Sequence, residues 1–146
     1  GIQGIPGHTG PQGTQGIQGN QGIKGVAGSQ GPSGQPVYAS GAGGVVTQLT
    51  SKVTTVILNK LCGQITTNAA ALAAGTEATF IVTNSTIAAT DVPCVAHASG
   101  GTAGAYAVGV SAVAAGSFKI TITNLSAGSL SEALVINLAT VKAVAS

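Results

Sequence analysis

The chain has 146 residues, of which 44% are hydrophobic but only 3% aromatic and 5% charged, for a net charge of +2. Its basic residues, Lys24, Lys52, Lys60, Lys119 and Lys142, form no cluster and include no Arg, which excludes a nucleic-acid footprint. No apolar run reaches the roughly 18–20 residues that a membrane-crossing helix requires, so no membrane insertion is expected.

Residues 1–36 read as Gly-X-Y triplets without a break: GIQ GIP GHT GPQ GTQ GIQ GNQ GIK GVA GSQ GPS GQP. The repeat glycines are Gly1, Gly4, Gly7, Gly10, Gly13, Gly16, Gly19, Gly22, Gly25, Gly28, Gly31 and Gly34. Three polyproline-II chains wound together leave room only for hydrogen at their shared axis, and that crowding is what makes this period strict. A flexible Gly-Ser linker has no such period. The segment is therefore expected to be a collagen triple helix of about 110 Å at ~3.1 Å per residue, and the chain a homotrimer. Only Pro6, Pro11, Pro32 and Pro36 hold the backbone in the required conformation beforehand, so the stalk alone is expected to be weak.

Residues 37–44 read as a neck, with the run YASGAGG from Tyr38 to Gly44 marking the change. From 45 to 146 the chain becomes rich in Thr, Val, Ile and Ala, with turn residues every 8–12 positions or so, the rhythm of a sandwich or barrel. The expected strands are 45–50, 53–58, 63–68, 77–84, 94–99, 105–114, 117–125 and 132–142. Alternation is clearest at 117–123, where Phe118, Ile120 and Ile122 point inward and Lys119, Thr121 and Thr123 point out. The Ala-rich run 68–74 lacks a cap and reads as a loop or irregular crossing.

The last strand is apolar on both faces: Leu134, Ile136 and Leu138 lie on one, Val135 and Val141 on the other. A strand of this kind is buried on both faces, and in a domain of this size the second face is expected to meet neighbouring subunits. The fold class expected is all-β plus fibrous: an N-terminal collagen stalk and a C-terminal jelly-roll-like antiparallel β-sandwich, three copies around one axis. The head would then bring three chain ends together and set the register of the stalk.

The sequence offers little chemistry. Glu77, Asp91 and Glu132 are the only carboxylates and lie far apart, so paired acid–base work has no basis. His8 lies in the repeat and His97 in the middle of a strand. Cys62 and Cys94 form no disulfide framework and have no zinc-ligand spacing; two buried free thiols are expected, with an intrachain bridge left open. No enzyme activity, metal or cofactor is expected. The run 100–104 reads as a hairpin turn, and Asn84-Ser85-Thr86 and Asn124-Leu125-Ser126 match the N-glycosylation acceptor pattern. Loops 85–93, 100–104 and 126–131 are the expected receptor contacts at the far end of the head.

Triplets followed by a Thr/Ala/Val-rich β domain resemble the collagen-like fibre proteins of tailed bacteriophages. The run TITNLSAGSLSEALVINLATVKA (Thr121 to Ala143) and the related VTNSTIAATDV (Val82 to Val92) look like parts of such virion domains. The resemblance implies a head or tail fibre or decoration protein on the virion surface, assembled in the host cytoplasm. Its trimeric tip would contact a host cell-surface glycan or protein. The chain holds no Met and opens on a repeat glycine, so an upstream part joining it to other virion proteins is expected. The competing expectation is a bacterial surface or spore exosporium filament, whose triplets are usually richer in Thr and Pro than the Ile- and Gln-rich ones here. An animal collagen-head protein would carry more aromatics, and a polysaccharide-degrading spike more carboxylates.

Overall fold

The computed structural model describes residues 1–25 and 42–143. The repeat glycines Gly28, Gly31 and Gly34 and most of the expected neck lie outside the described residues. The chain divides into two units, Gly1–Gln35 and Pro36–Ser146.

In the first unit the described residues hold no helix, strand or turn, and every one is exposed. Ile2, Ile5, Ile17 and Ile23 are between 92% and 102% exposed. None of the glycines from Gly1 to Gly25 has a positive φ, and a Cβ built on any of them meets nothing within 4 Å.

The second unit is all-β, with no helix among the described residues. Its strands are β1 (Gly43–Thr47), β2 (Val56–Ile57), β3 (Cys62–Thr66), β4 (Glu77–Thr83), β5 (Val92–Ser99), β6 (Tyr106–Ala114), β7 (Ser117–Asn124) and β8 (Val135–Val141). They form two four-stranded sheets, in the orders β1-β3-β8-β5 and β2-β4-β7-β6. All eight expected strands are present, β2 much shortened, and β1 begins at Gly43 inside the expected neck.

One expectation is corrected: the sheets are mixed, not antiparallel. β1 pairs with β3 in parallel and β2 with β4 in parallel, while the β3–β8, β4–β7, β5–β8 and β6–β7 pairs are antiparallel. The reason lies in the path of the chain. It changes sheet at every connection except β6–β7 and reverses direction at each strand, so β1, β3 and β5 share one sheet and direction, and β2, β4 and β6 the other. For the same reason 100–104 is not a hairpin turn; it carries the chain from β5 across to β6 in the other sheet. There Gly101 has φ 69°, and a Cβ on it would lie 2.4 Å from Leu134 Cδ2, so only glycine fits.

The core forms from the inward rows of both sheets. Phe80 and Val82 of β4 and Phe118, Ile120 and Ile122 of β7 meet Ile65 of β3 and Leu134, Ile136 and Leu138 in and before β8, all at 3% exposure or less. Truncating either Phe to Ala costs about 3–5 kcal/mol at sites of this kind. A cross-strand surface pair contributes only ~0.2–1 kcal/mol, so the inward rows dominate the stability of the head.

Candidate interaction faces and polar clasps

The strand directions sort the loops into two ends. Loops 48–54, 67–76, 100–105 and 125–134 gather where β7 and β5 finish, as shown by the Leu72–Leu130 bridge and by Leu125 N–H donating to Ala105 O. Loops 58–61, 84–91 and 115–116 lie at the opposite end, where β1 starts and β8 finishes. The three expected contact loops therefore do not cluster. Loops 100–104 and 126–131 share the end away from Gly43, while most of 85–93 lies at the Gly43 end, because β4 and β8 both run toward it.

At the end away from Gly43, residues distant in sequence converge on Glu132. Its carboxylate accepts from Thr102 N–H at 2.8 Å, Thr102 Oγ1 at 2.7 Å and the Tyr106 hydroxyl at 2.9 Å. The Lys52 ammonium, on a residue only 3% exposed, donates to the backbone carbonyls of Asn68 and Glu132. The Thr102 hydroxyl and amide, with Tyr106, hold the Glu132 carboxyl below its ordinary value. Burial, together with Glu132, pushes the Tyr106 phenol up to about 12. Burial lowers the Lys52 ammonium, opposed by the nearby carboxylate. Both Glu132 oxygens are occupied by groups of the same chain, so the cluster works as a clasp joining loops 48–54, 67–76 and 100–105 to the start of β8. His97 packs edge-on to Tyr106, ring centres 6.2 Å apart, and its Nε2 contacts the carbonyls of Ser99 and Gly100.

The other end has its own clasp. Asp91 accepts from Ala88 N–H at 2.7 Å and Ala143 N–H at 3.1 Å, and forms an ion pair with Lys142. The Ala88 amide first, then Lys142, hold its carboxyl below the ordinary value.

Both N-glycosylation patterns turn out to be internal fittings. Asn84, directly after β4, and Asn124, the last residue of β7, are each 0% exposed. The Asn124 side chain accepts from Ser126 N–H and Oγ at 2.9 and 2.7 Å and donates to Leu72 O and Gly128 O at 2.8 and 2.9 Å. Asn84 accepts from Thr86 N–H and Oγ1 and donates to Lys60 O. These are Asx turns, in which the Ser or Thr two residues on serves the asparagine rather than an enzyme. The likeness between 82–92 and 121–131 has the same origin.

The outer faces of the two sheets differ in chemistry. On the β2-β4-β7-β6 sheet, Thr79 Oγ1 bonds Thr121 Oγ1 at 2.7 Å, Thr121 Oγ1 bonds Ser111 Oγ at 2.9 Å, and Thr123 donates to Glu77 at 3.3 Å, with Lys119 alongside. An open trough of about 250 Å³ runs between Ala107, Gly109, Ser111, Thr121 and Thr123, lined by no acid, His or Cys. On the β1-β3-β8-β5 sheet the outward rows are Val45–Gln64–Asn137–Ala96, then Gly43–Cys62–Ala139–Cys94, then Val141–Val92. None of these residues is charged. Val45 is 74% exposed, Val141 59% and Val92 55%.

Of the residues expected in the trimer strand, Leu134, Ile136 and Leu138 are buried in the chain's own core, and Val135 and Val141 lie on this outer face. Cys62 and Cys94 flank Ala139 on the same face, two strand spacings or roughly 9.5 Å apart. That exceeds the ~7 Å that a disulfide can bridge, and both thiols are free, but neither is buried as expected: on the outward row of their strands Cys62 is half-buried and Cys94 exposed. Among the described residues no three His, Cys, Asp or Glu side chains group as a metal site, and no helix is long and apolar enough to cross a membrane. No family model, curated protein or solved structure matches the chain.

Proposed function

We propose that the chain is a structural fibre protein of a bacteriophage virion, a homotrimer whose collagen stalk carries a jelly-roll-like head toward the host surface. The observation that carries this reading is the unbroken Gly-X-Y repeat, taken with the surroundings of its glycines. In a single chain nothing lies within 4 Å of a Cβ built on any described repeat glycine, Gly1 to Gly25, and none of these has a positive φ, so neither a tight turn nor a close approach within the chain accounts for them. Crowding by two further chains accounts for them directly. The head supports the reading in a second way. Its strands alternate between two four-stranded sheets, as those of a β-sandwich do, and its carboxylates are occupied in clasps or exposed on a hydroxyl-lined surface, which suits a structural part better than a catalyst.

The gene's neighbourhood and the virion itself provide the test. Capsid, portal or tail genes beside it, and labelling of purified virions by antibody raised against residues 45–146, are the expected results. Sporulation or cell-wall sorting genes beside it, with unlabelled virions, would replace this reading with that of a bacterial surface or exosporium filament.

A further inference from the structure

We propose that the outer face of the β1-β3-β8-β5 sheet is where three copies of this chain join, Val45 of each copy seating in the hollow between Ala96 and Ala139 of the next. The inference rests on the trimer reading above and adds the surface, the fit and the polar contact that fixes rotation.

The two sides of this face are unlike, which is what a ring requires. A threefold assembly is heterologous: each copy offers one patch to the neighbour on its left and a different patch to the neighbour on its right. On the β1 edge Val45 stands 74% exposed. On the β5–β8 side there is a hollow of about 220 Å³, bordered by Cys94, Ala96, Asn137 and Ala139, where small side chains leave space. Projection and hollow lie in the same region of the register, since Val45, Gln64, Asn137 and Ala96 form one continuous row. The face carries no charge to be stripped of water. The opposite outer face exposes Ile57 and Ile81 but also carries Lys119 and Glu77, whose charges would have to be stripped of water, and its hydroxyls already bond one another.

The centre of the row is polar. Gln64 Nε2 donates to Asn137 Oδ1 at 3.0 Å. Each copy keeps unused hydrogen-bonding capacity on this pair, with Gln64 Oε1 able to accept and Asn137 Nδ2 able to donate. One such acceptor and one such donor from each copy would close a ring of three hydrogen bonds. Copies joined at another rotation would bury the same atoms without partners, which is how a single buried Asn selects one register in coiled coils. The stalk sets the number of chains; the amides set their rotation.

The test uses the full chain, in sedimentation equilibrium at micromolar concentration, above the melting temperature of the stalk signal. Wild type is expected as a trimer. Ala139→Arg, which fills the hollow with a charge, and Val45→Lys, which charges the projection, are each expected to give monomers whose far-ultraviolet circular dichroism matches wild type. Thr121→Arg, on the opposite sheet, is expected to remain trimeric. Asn137→Leu is expected to stay trimeric but to show more than one set of backbone amide resonances. A monomeric wild type removes the trimer reading and this face with it. A wild-type trimer unmoved by Ala139→Arg and Val45→Lys, or dissociated by Thr121→Arg, removes this face alone. A single set of resonances from Asn137→Leu removes the amides' role in fixing rotation.

Discussion

Replacing Asn124 by alanine removes a side chain that makes four hydrogen bonds at the end of β7 while wholly shielded from water. The loss is smaller than four full bonds. Leu72 O keeps Leu130 N–H, and Gly128 O keeps the Ser126 hydroxyl, whereas Ser126 N–H is left without its acceptor. At ~1 kcal/mol net per bond, and somewhat more for a stranded buried donor, the change is expected to cost about 2–3 kcal/mol. For a domain of this size that is a fall in Tm of roughly 10–20 °C. Asn124→Asp discriminates further, because it exchanges both N–H donors for a carboxylate oxygen directed at the carbonyls of Leu72 and Gly128. It is expected to be worse than alanine. Leu125→Ala, at an exposed position within the same acceptor pattern, is expected to change stability by less than ~0.5 kcal/mol. Urea titration followed by far-ultraviolet circular dichroism measures all three variants. An Asn124→Ala head within ~0.5 kcal/mol of wild type, or an Asp variant no worse than Ala, would refute the Asx-turn argument.

Four further expectations concern the stalk, the acid and alkaline limbs and the thiols. Gly16→Ala meets no atom within 4 Å in a single chain, so only a triple helix would register it. The polyproline-type circular-dichroism signal is expected to melt at lower temperature while the head's melting is unchanged, and an unaltered stalk signal counts against three wound chains. The Glu132 and Asp91 carboxyls are both held below their ordinary values, so their contribution is complete above the unfolded carboxylate range of about 4 to 4.5 and is lost as pH falls through their folded values. Head stability should therefore fall on acidification below that range, less steeply in Glu132→Gln, and an equal slope in the variant would contradict the clasp. With the Tyr106 phenol pushed up to about 12, stability should also fall from about pH 10 upward, as the unfolded chain ionises first, and Tyr106→Phe should flatten that limb. Mild oxidation of dilute monomer should leave Cys62 and Cys94 unbridged within one chain, and recovery of an intrachain disulfide by mass spectrometry would mean that the β3–β8–β5 register is wrong.

The strands were legible because each carries its period in its own residues. Phe118, Ile120 and Ile122 alternate with Lys119, Thr121 and Thr123, and the former are 1%, 0% and 0% exposed. The partner of each strand was not legible, since alternation identifies an inward face without naming the sheet, and so the parallel β1–β3 and β2–β4 pairs went unseen. The Glu132 clasp was hidden for a related reason: Lys52, Thr102 and Tyr106 come within reach only after loops of 26 to 80 residues close. The roles of Asn84 and Asn124 did leave a signal. Each follows a Thr at the end of an alternating run and precedes a Ser or Thr by two residues, which describes an Asx turn as well as it describes a glycosylation acceptor.

The position of β8 also governs when the head is able to form. It is the last strand in the described chain, yet it lies between β3 and β5, and Gln64 pairs with Asn137 across more than 70 intervening residues. Only the β6–β7 pair joins neighbours in sequence, so nearly every other pairing must close a long loop, a topology associated with slow folding. During synthesis the β1-β3-β8-β5 sheet has no middle until residue 141 has left the ribosome. Until then its outer face does not exist, so a trimer joined through that face would form only after this strand is made. In a trimer of the proposed kind, a repeat able to wind in many registers would be made before the face that sets its register.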